Sequence, residues 1–155
     1  MELPINEFKN QNYVDLKDII NSFYGKAIEF TVNENCPNCG KIDKVNNITT
    51  ICTLPKYLII HFRRTVYNRY IRTHINYEND LSINCSTNNK YEYGLNGVIF
   101  YHSNSSYYSN SGYYKASCRY GNNWYYFNDS FVDKNDHHHP NTYKGEIILF
   151  YEMNN

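Results

Sequence analysis

Five residues in the second half of the chain have the types and spacing of an active-site frame. Gly112, Tyr113 and Tyr114 follow a Ser/Asn-rich turn, where a glycine lets another segment approach the backbone closely. Asn128 and Asp129 place an amide and a carboxylate side by side, directly after an aromatic run. Such a polar group can orient a catalytic base, and the small turn residues suit an extended peptide. We therefore take the glycine turn and this polar pair, within residues 91–131, as the candidate site.

The second candidate site is the motif Cys36-Pro-Asn-Cys39, followed by Gly40. Two cysteines at this spacing can bind one zinc ion, but they supply only two of the four ligands of a structural site. The other ligands would come from a histidine or from the remaining cysteines, Cys52, Cys85 and Cys118. The alternative is a pair of reduced thiols in a turn. Zinc is therefore the candidate cofactor, bound as a half site.

Other histidines give weaker signals. His61 lies inside an apolar run, so we expect a core or half-buried residue satisfied by a neighbour. The adjacent His137, His138 and His139 would point to different sides of an extended chain and would rarely converge on one metal ion. We interpret these three as solvated loop residues.

Composition limits the class of protein. The chain has 155 residues, enough for about one domain with a real core, and 18 tyrosines suggest that the core is built on aromatic side chains. The 15 basic and 15 acidic residues give no basic excess for nucleic acid. No apolar run reaches the roughly 18 residues needed to cross a membrane. The sequence shows no secretory signal and has an odd number of cysteines. We therefore expect an intracellular protein, cytoplasmic or nuclear, with reduced thiols.

Hydrophobic periodicity predicts one short helix and several strands in the first half. Apolar residues at helical spacing predict a helix over 14–23, which Gly25 ends. Alternation predicts a strand over 27–32, and β-rich composition predicts another over 49–53. The continuous apolar middle of YLIIHFR predicts a central strand over 57–63 that is buried on both faces.

The second half is expected to be mainly β. Strands are predicted over 67–77 and 81–84, with a turn at 88–89. Alternating aromatic residues predict three strands within 91–131, and EIILFY predicts a closing strand over 146–151. We therefore expect one α+β domain over residues 1–155, built mainly on antiparallel sheet.

The order of these motifs resembles one family. CPNC, LPKYLIIHF, YGLNGVIFYHS, SGYYKA, a W-x-x-FNDS segment and a closing ILFY follow each other as in the C-terminal half of a ubiquitin-specific protease domain. The resemblance covers about residues 14–152. It implies a papain-like cysteine deubiquitinase fold of thumb, palm and fingers. The palm and part of the fingers would be present, and the thumb with its Cys box would be absent.

The resemblance also implies roles for individual residues. Tyr113 stands where the family has the catalytic His of a G-H-Y motif. Asn128 stands at the third triad position, with Asp129 beside it. The residues expected at the substrate are His102, Gly112 and Tyr114. His102 would match a family histidine that is not catalytic.

The resemblance further relates the cysteine motif to a zinc site. Cys36 and Cys39 match the second of the family's two zinc-binding Cys pairs, and the first pair is missing. Cys52 and Cys118 fall in predicted strands, whereas the family's nucleophile starts a helix, so we interpret both as structural.

These roles predict a site without hydrolytic chemistry. A phenol, with a pKa of about 10, cannot replace imidazole as a proton acceptor near neutral pH. We therefore expect a catalytically incomplete pseudoenzyme that binds ubiquitin or a ubiquitinated protein. The alternatives are one half of a split deubiquitinase, completed by an N-terminal half, and a non-enzymatic β-rich interaction module or degenerating fragment.

Overall fold

A computed structural model describes residues 1–31, 35, 37–40, 44–67, 69–103, 112–134, 140 and 145–154. Cys36 and His137–His139, named above, lie outside these ranges. A single 3-10 turn covers Asn6–Phe8. The helix and strands are β1 Glu2–Pro4, β2 Tyr13–Asp15, α1 Leu16–Phe23, β3 Ala27–Thr31, β4 Lys44–Ile48, β5 Tyr57–Arg63, β6 Thr65–Val66, β7 Arg69–Tyr70, β8 His74–Asn76, β9 Asp80–Asn84, β10 Lys90–Ser103, β11 Gly112–Tyr120, β12 Asn123–Asn128, β13 Phe131–Lys134 and β14 Glu146–Met153.

One large sheet organises the part of the chain that the structure describes. Its strands run in the order β1-β5-β14-β10-β11-β12-β13, and β9 pairs with the first half of β10. β1 is parallel to β5, and the other pairs in this sheet are antiparallel. Small two-stranded pairs form between β2 and β8, β3 and β4, and β6 and β7. The predicted α+β fold class with mainly antiparallel sheet is confirmed.

The core lies against one face of this sheet. β5 buries Leu58, Ile60 and Phe62 on alternate positions, and its neighbour β14 buries Leu149 and Tyr151 on the same face. The helix α1 covers this face with its apolar stripe, which consists of Leu16, Ile19 and Ile20. Each such buried side chain contributes about 1.5 to 3 kcal/mol relative to exposure to water.

The expectation that β5 is buried on both faces is wrong. The other face of the strand carries Tyr57 and Ile59, which are 61% and 49% exposed, and the exposed His61. His61 is therefore not the core histidine that the apolar run suggested. Among the described residues, β5 is covered only on the face that is directed towards α1. Side chains alternate between the two faces of a strand, so every second side chain of β5 is exposed to water.

Three element boundaries also differ from the sequence prediction. The helix begins at Leu16, because Val14 pairs with Ile75 in the short β2–β8 ladder. Residues 49–53 form no strand; the carbonyl group of Thr49 instead accepts from the N–H of Gly25, and that of Ile51 accepts from the N–H and the hydroxyl of Ser86. The run 67–77 is divided among β7 and β8.

The remaining strand predictions are confirmed. The stretch 91–131 contains β10, β11 and β12, and 146–151 lies within β14. β10 is long enough to pair with β9, β11 and β14. Among the described residues, no helix is long and apolar enough to cross a membrane.

Candidate functional site

The register of β10 and β11 sets the centre of the candidate site. His102 lies directly opposite Tyr113, and the two ring centroids are 5.3 Å apart. Tyr101 lies opposite Tyr114 with the ring centroids 5.1 Å apart. Because neighbouring side chains of a strand point to opposite faces, the two aromatic pairs lie on opposite faces of the sheet. The predicted substrate residues His102 and Tyr114 are therefore separated by the sheet.

Gly112 begins β11 under the ring of Tyr101. A Cβ atom at this position would lie 2.3 Å from both Cζ and the hydroxyl oxygen of Tyr101. A side chain would fit here only if the ring of Tyr101 moved, so this contact favours glycine. Tyr101 is held in place from both sides, since its ring also lies 5.6 Å from that of Tyr70.

Lys115 belongs to the site, although the sequence argument did not single it out. Its Nζ lies 5.0 Å from the ring centroid of Tyr113 and 5.5 Å from that of Tyr126. A hydrogen bond with Tyr126 is the main reason why the pKa of Lys115 is raised above its ordinary value. The signal that could have found this residue is strand periodicity, because residues 113 and 115 must share a face.

Asn128 and Asp129 lie at the end of β12. Asn128 is the last residue of the strand and pairs with Phe131, whereas Asp129 is exposed in the following turn with φ of 52°. Pleating places Asn128 on the same face as Tyr126. Within the described part of the chain, no hydrogen bond joins Asn128 to Tyr113. The structure thus brings Asn128 and Tyr113 to one face of the sheet without a hydrogen bond between them.

A buried ionic cluster lies where β5 ends and β14 begins. The side chains of Arg64 and Glu146 are 2% and 0% exposed, and their Nη2 and Oε2 atoms are 3.0 Å apart. The guanidinium also donates to the carbonyl oxygens of Ile71, Thr73 and Glu146. Burial lowers the pKa of Arg64, and the Glu146 carboxylate opposes that effect. Such a pair is costly to break, because either partner alone would be an uncompensated buried charge.

His74 extends this cluster towards the surface. Its Nδ1 lies 2.8 Å from Oε1 of Glu146, which is an ion pair when the imidazole is protonated. Neither atom has a well-aligned hydrogen bond among the described residues. The hydroxyl of Tyr70 is buried nearby, and burial raises the pKa of this phenol. Tyr70 connects the cluster to the aromatic group around Tyr101.

The structure adds a cavity that is separate from these residues. It has a volume of about 480 Å³ and lies between α1 and β9. Its walls include Ile20, Tyr24, Ile51, Ser82 and Cys85. None of the candidate residues on β10, β11 and β12 lines it, so its position offers no support for a role in their chemistry.

The structure does not assess the predicted zinc half site. Cys39 lies exposed in a turn, and its partner Cys36 is outside the described ranges. Among the residues that are described, no group of three or more His, Cys, Asp or Glu side chains could hold a metal ion. Zinc at Cys36 and Cys39 stays a prediction.

The fold and the arrangement of β10, β11 and β12 define a class of protein. The family model described as ubiquitin carboxyl-terminal hydrolase matches residues 6–151. The chain therefore belongs to the ubiquitin carboxyl-terminal hydrolase family, and the resemblance to ubiquitin-specific proteases is confirmed.

Individual relatives agree with this assignment. Ubiquitin carboxyl-terminal hydrolase 4 of Pongo abelii is 29% identical over 93% of this chain and 16% of its own length. A chain from the yeast SAGA DUB module has a TM-score of 0.77 at 23% identity, covering 99% of this chain and 35% of that chain. A SAGA DUB module bound to ubiquitin aldehyde gives a TM-score of 0.74 at 22% identity, with the same coverage. The chain thus spans about a third of these solved chains and less of the curated relative.

Proposed function

We propose that this chain is a deubiquitinase-like domain that binds ubiquitin or a ubiquitinated protein and does not hydrolyse it. The proposal depends on which residue stands at the position of the family's catalytic base. Tyr113 occupies that position, and its described neighbours are the ring of His102 and the ammonium of Lys115. A phenol beside a cation donates hydrogen bonds and does not accept a proton as a catalytic imidazole does.

Comparison with solved structures supports both parts of this proposal. A SAGA DUB module is bound to ubiquitin aldehyde, which fits ubiquitin as the partner of this fold. An essential yeast splicing factor shares the fold with a TM-score of 0.65 at 12% identity, over 100% of this chain and 36% of that chain. The architecture therefore occurs outside proteins named as hydrolases, and the activity must be argued from the site.

The test is to measure binding and hydrolysis with the same folded protein. We expect chemical-shift changes in isotope-labelled ubiquitin on titration with the chain, and no release of dye from a fluorogenic C-terminal amide of ubiquitin. Turnover that survives repurification would contradict the absence of activity. Unchanged ubiquitin spectra at a large molar excess of the chain would contradict binding.

The exposed face of the large sheet favours a second candidate, one half of a split deubiquitinase. Ile59, Phe127 and Val132 are 49%, 36% and 55% exposed. The register aligns Ile59 with Phe150 and Phe127 with Val132, so apolar side chains extend across this face on several strands. A complementing N-terminal half would cover such a surface, and its Cys box would have to reach the opposite face, because Phe127 pairs with Ala116 and Tyr113 lies on the other face of β11.

This second candidate predicts that activity can be assembled. We would join or mix the chain with a family N-terminal half that contains the Cys box, and replace Tyr113→His to supply the base. A ubiquitin-based suicide probe should then label the cysteine. Tyr113→Phe is the matched control and should stay unlabelled. A folded complex without labelling would remove this candidate.

The proposed function includes a structural zinc half site at Cys36 and Cys39. Elemental analysis of the purified protein tests it directly. We expect zinc to be retained after gel filtration and lost in the Cys39→Ser variant. Equal metal content in the two proteins would contradict the assignment.

A further inference from the structure

We propose that the face carrying Tyr113 and Lys115 recognises the free C-terminal carboxylate of ubiquitin in preference to an amide-linked C-terminus. This inference rests on the proposed binding of ubiquitin and adds which chemical form is bound. It starts from Lys115 in the middle of β11, whose ammonium lies within 5.0 Å and 5.5 Å of the ring centroids of Tyr113 and Tyr126.

Among the residues that the structure describes, Lys115 is a cation without a carboxylate partner. None of the ion pairs among the described residues includes it. Its hydrogen bond with Tyr126 raises its pKa, so the ammonium stays protonated near neutral pH. The two aromatic rings hold the half-buried side chain in place but leave its net charge uncompensated. An anion is the ligand that complements such a site.

The neighbouring polar groups select the type of anion. Tyr113 contributes a phenolic hydroxyl, and Asn128 adds an amide that can donate on the same face. A carboxylate has two acceptor oxygens and no hydrogen, so it can accept from an ammonium and from a neutral donor together. An isopeptide bond offers one carbonyl oxygen, no charge and an N–H that needs its own acceptor. The donors of this face therefore favour the carboxylate.

The position of these donors relates the preference to the family's reaction. A hydrolase needs a proton acceptor beside the carbonyl group that is attacked. In this chain, Tyr113 and Lys115 place hydrogen-bond donors where a hydrolase has this proton acceptor. Hydrolysis converts the amide-linked end of ubiquitin into a free carboxylate, so the site matches the product of the reaction better than its substrate. A domain with this preference would hold released ubiquitin more tightly than its conjugates.

The experiment compares two forms of ubiquitin on the same folded chain. One has its natural C-terminal carboxylate, and the other has this carboxylate converted to a neutral primary amide. We expect the carboxylate form to bind about tenfold more tightly, as one charge-assisted hydrogen bond would give. Raising the ionic strength should reduce the difference, because an exposed charge is screened by salt.

Two variants assign the preference to Lys115. Lys115→Met should remove the difference between the two forms, and Lys115→Arg should keep it. Lys56→Met is the matched control, since Lys56 also lies over a tyrosine ring, 5.2 Å from the centroid of Tyr57, but at the start of β5. This control should keep the full preference. Circular dichroism on every variant establishes that it is folded.

The possible failures are distinguishable. Equal affinity of the unmodified chain for both forms would overturn the carboxylate preference and leave ubiquitin binding standing. A preference that persists in a folded Lys115→Met variant would overturn the role of Lys115. Absence of binding to either form would overturn the proposed function, and with it this inference.

Discussion

The ring of Tyr101 occupies the space that a side chain at Gly112 would need. A Cβ atom on Gly112 would lie 2.3 Å from the Tyr101 ring, which is itself packed against the rings of Tyr70 and Tyr114. The ring cannot turn away without disturbing these contacts. The start of β11, and with it the position of Tyr113, depends on this fit.

We predict that Gly112→Ala destabilises the protein by about 1 to 3 kcal/mol, the usual cost of overpacking. Denaturant unfolding measures the change. In a Tyr101→Ala background the same substitution should cost much less, because the obstructing ring is gone. Additive effects of the two substitutions would contradict the steric explanation. Gly121→Ala provides a comparison, since nothing lies within 4 Å of a Cβ there although its φ is positive.

The buried pair of Arg64 and Glu146 gives a second prediction. Glu146→Gln should lower the free energy of unfolding by about 3 to 5 kcal/mol, because it leaves the buried guanidinium without a counter-charge. Glu29→Gln removes one partner of the exposed pair with Lys44 and should have little effect. Thermal unfolding of both variants makes the comparison. Similar losses in the two would show that the Glu146 carboxylate does not neutralise Arg64.

The buried tyrosines predict a loss of stability in alkali. Burial raises the pKa of five phenols above the ordinary value of about 10; these are Tyr24, Tyr70, Tyr77, Tyr93 and Tyr151. The folded state therefore favours the neutral phenol, and unfolding releases protons. Stability is complete below pH of about 10 and falls as the pH rises above it.

Chemical unfolding at a series of pH values tests whether stability falls as the pH rises above about 10. The Tyr151→Phe variant, which lacks a buried phenol, should show a shallower fall in stability above pH of about 10 than the unmodified chain. Tyr67→Phe is the control, because Tyr67 is 96% exposed and should not change the slope. Stability that is constant through this range would contradict the prediction.

The cysteines are predicted to differ in reactivity. Cys85 is buried, and its pKa is raised by burial and by the neighbouring Cys52, so little thiolate is available. Cys52 is exposed. We expect an alkylating reagent to modify Cys52 at least about tenfold faster than Cys85 in the folded protein, and at similar rates after denaturation. Peptide mass spectrometry measures both sites. Equal rates in the folded state would contradict the burial of Cys85.

Strands with a strong local sequence pattern could be predicted, and the absence of a strand at 49–53 could not. The apolar runs of β5 and β14 and the aromatic alternation of β10 to β12 are each sufficient to indicate a strand. The run 49–53 has similar composition, but its carbonyl groups bond to separate segments and no neighbouring strand completes a ladder. A strand depends on a partner, which local composition does not specify.

The candidate site shows the same limit. The motif order was sufficient to place Tyr113 and Asn128 on adjoining strands, and strand periodicity could have added Lys115. The cluster of Arg64, Glu146 and His74 could not be predicted, because Glu146 is far in sequence from the other two and meets them only through the order of β5 and β14 in the sheet. Local pattern carries no information on which strands become neighbours.

The central position of β14 has a consequence for the order of folding. It lies between β5 and β10, although every other strand of the sheet precedes it in the chain. During synthesis β5 and β10 leave the ribosome first and have no partner on the edges that β14 will occupy. Such edges invite pairing with other chains, and strands that are distant in sequence pair slowly. The sheet can therefore close only once β14 has been made, and a nascent chain that stops short of Glu146 would be a target for chaperones or aggregation.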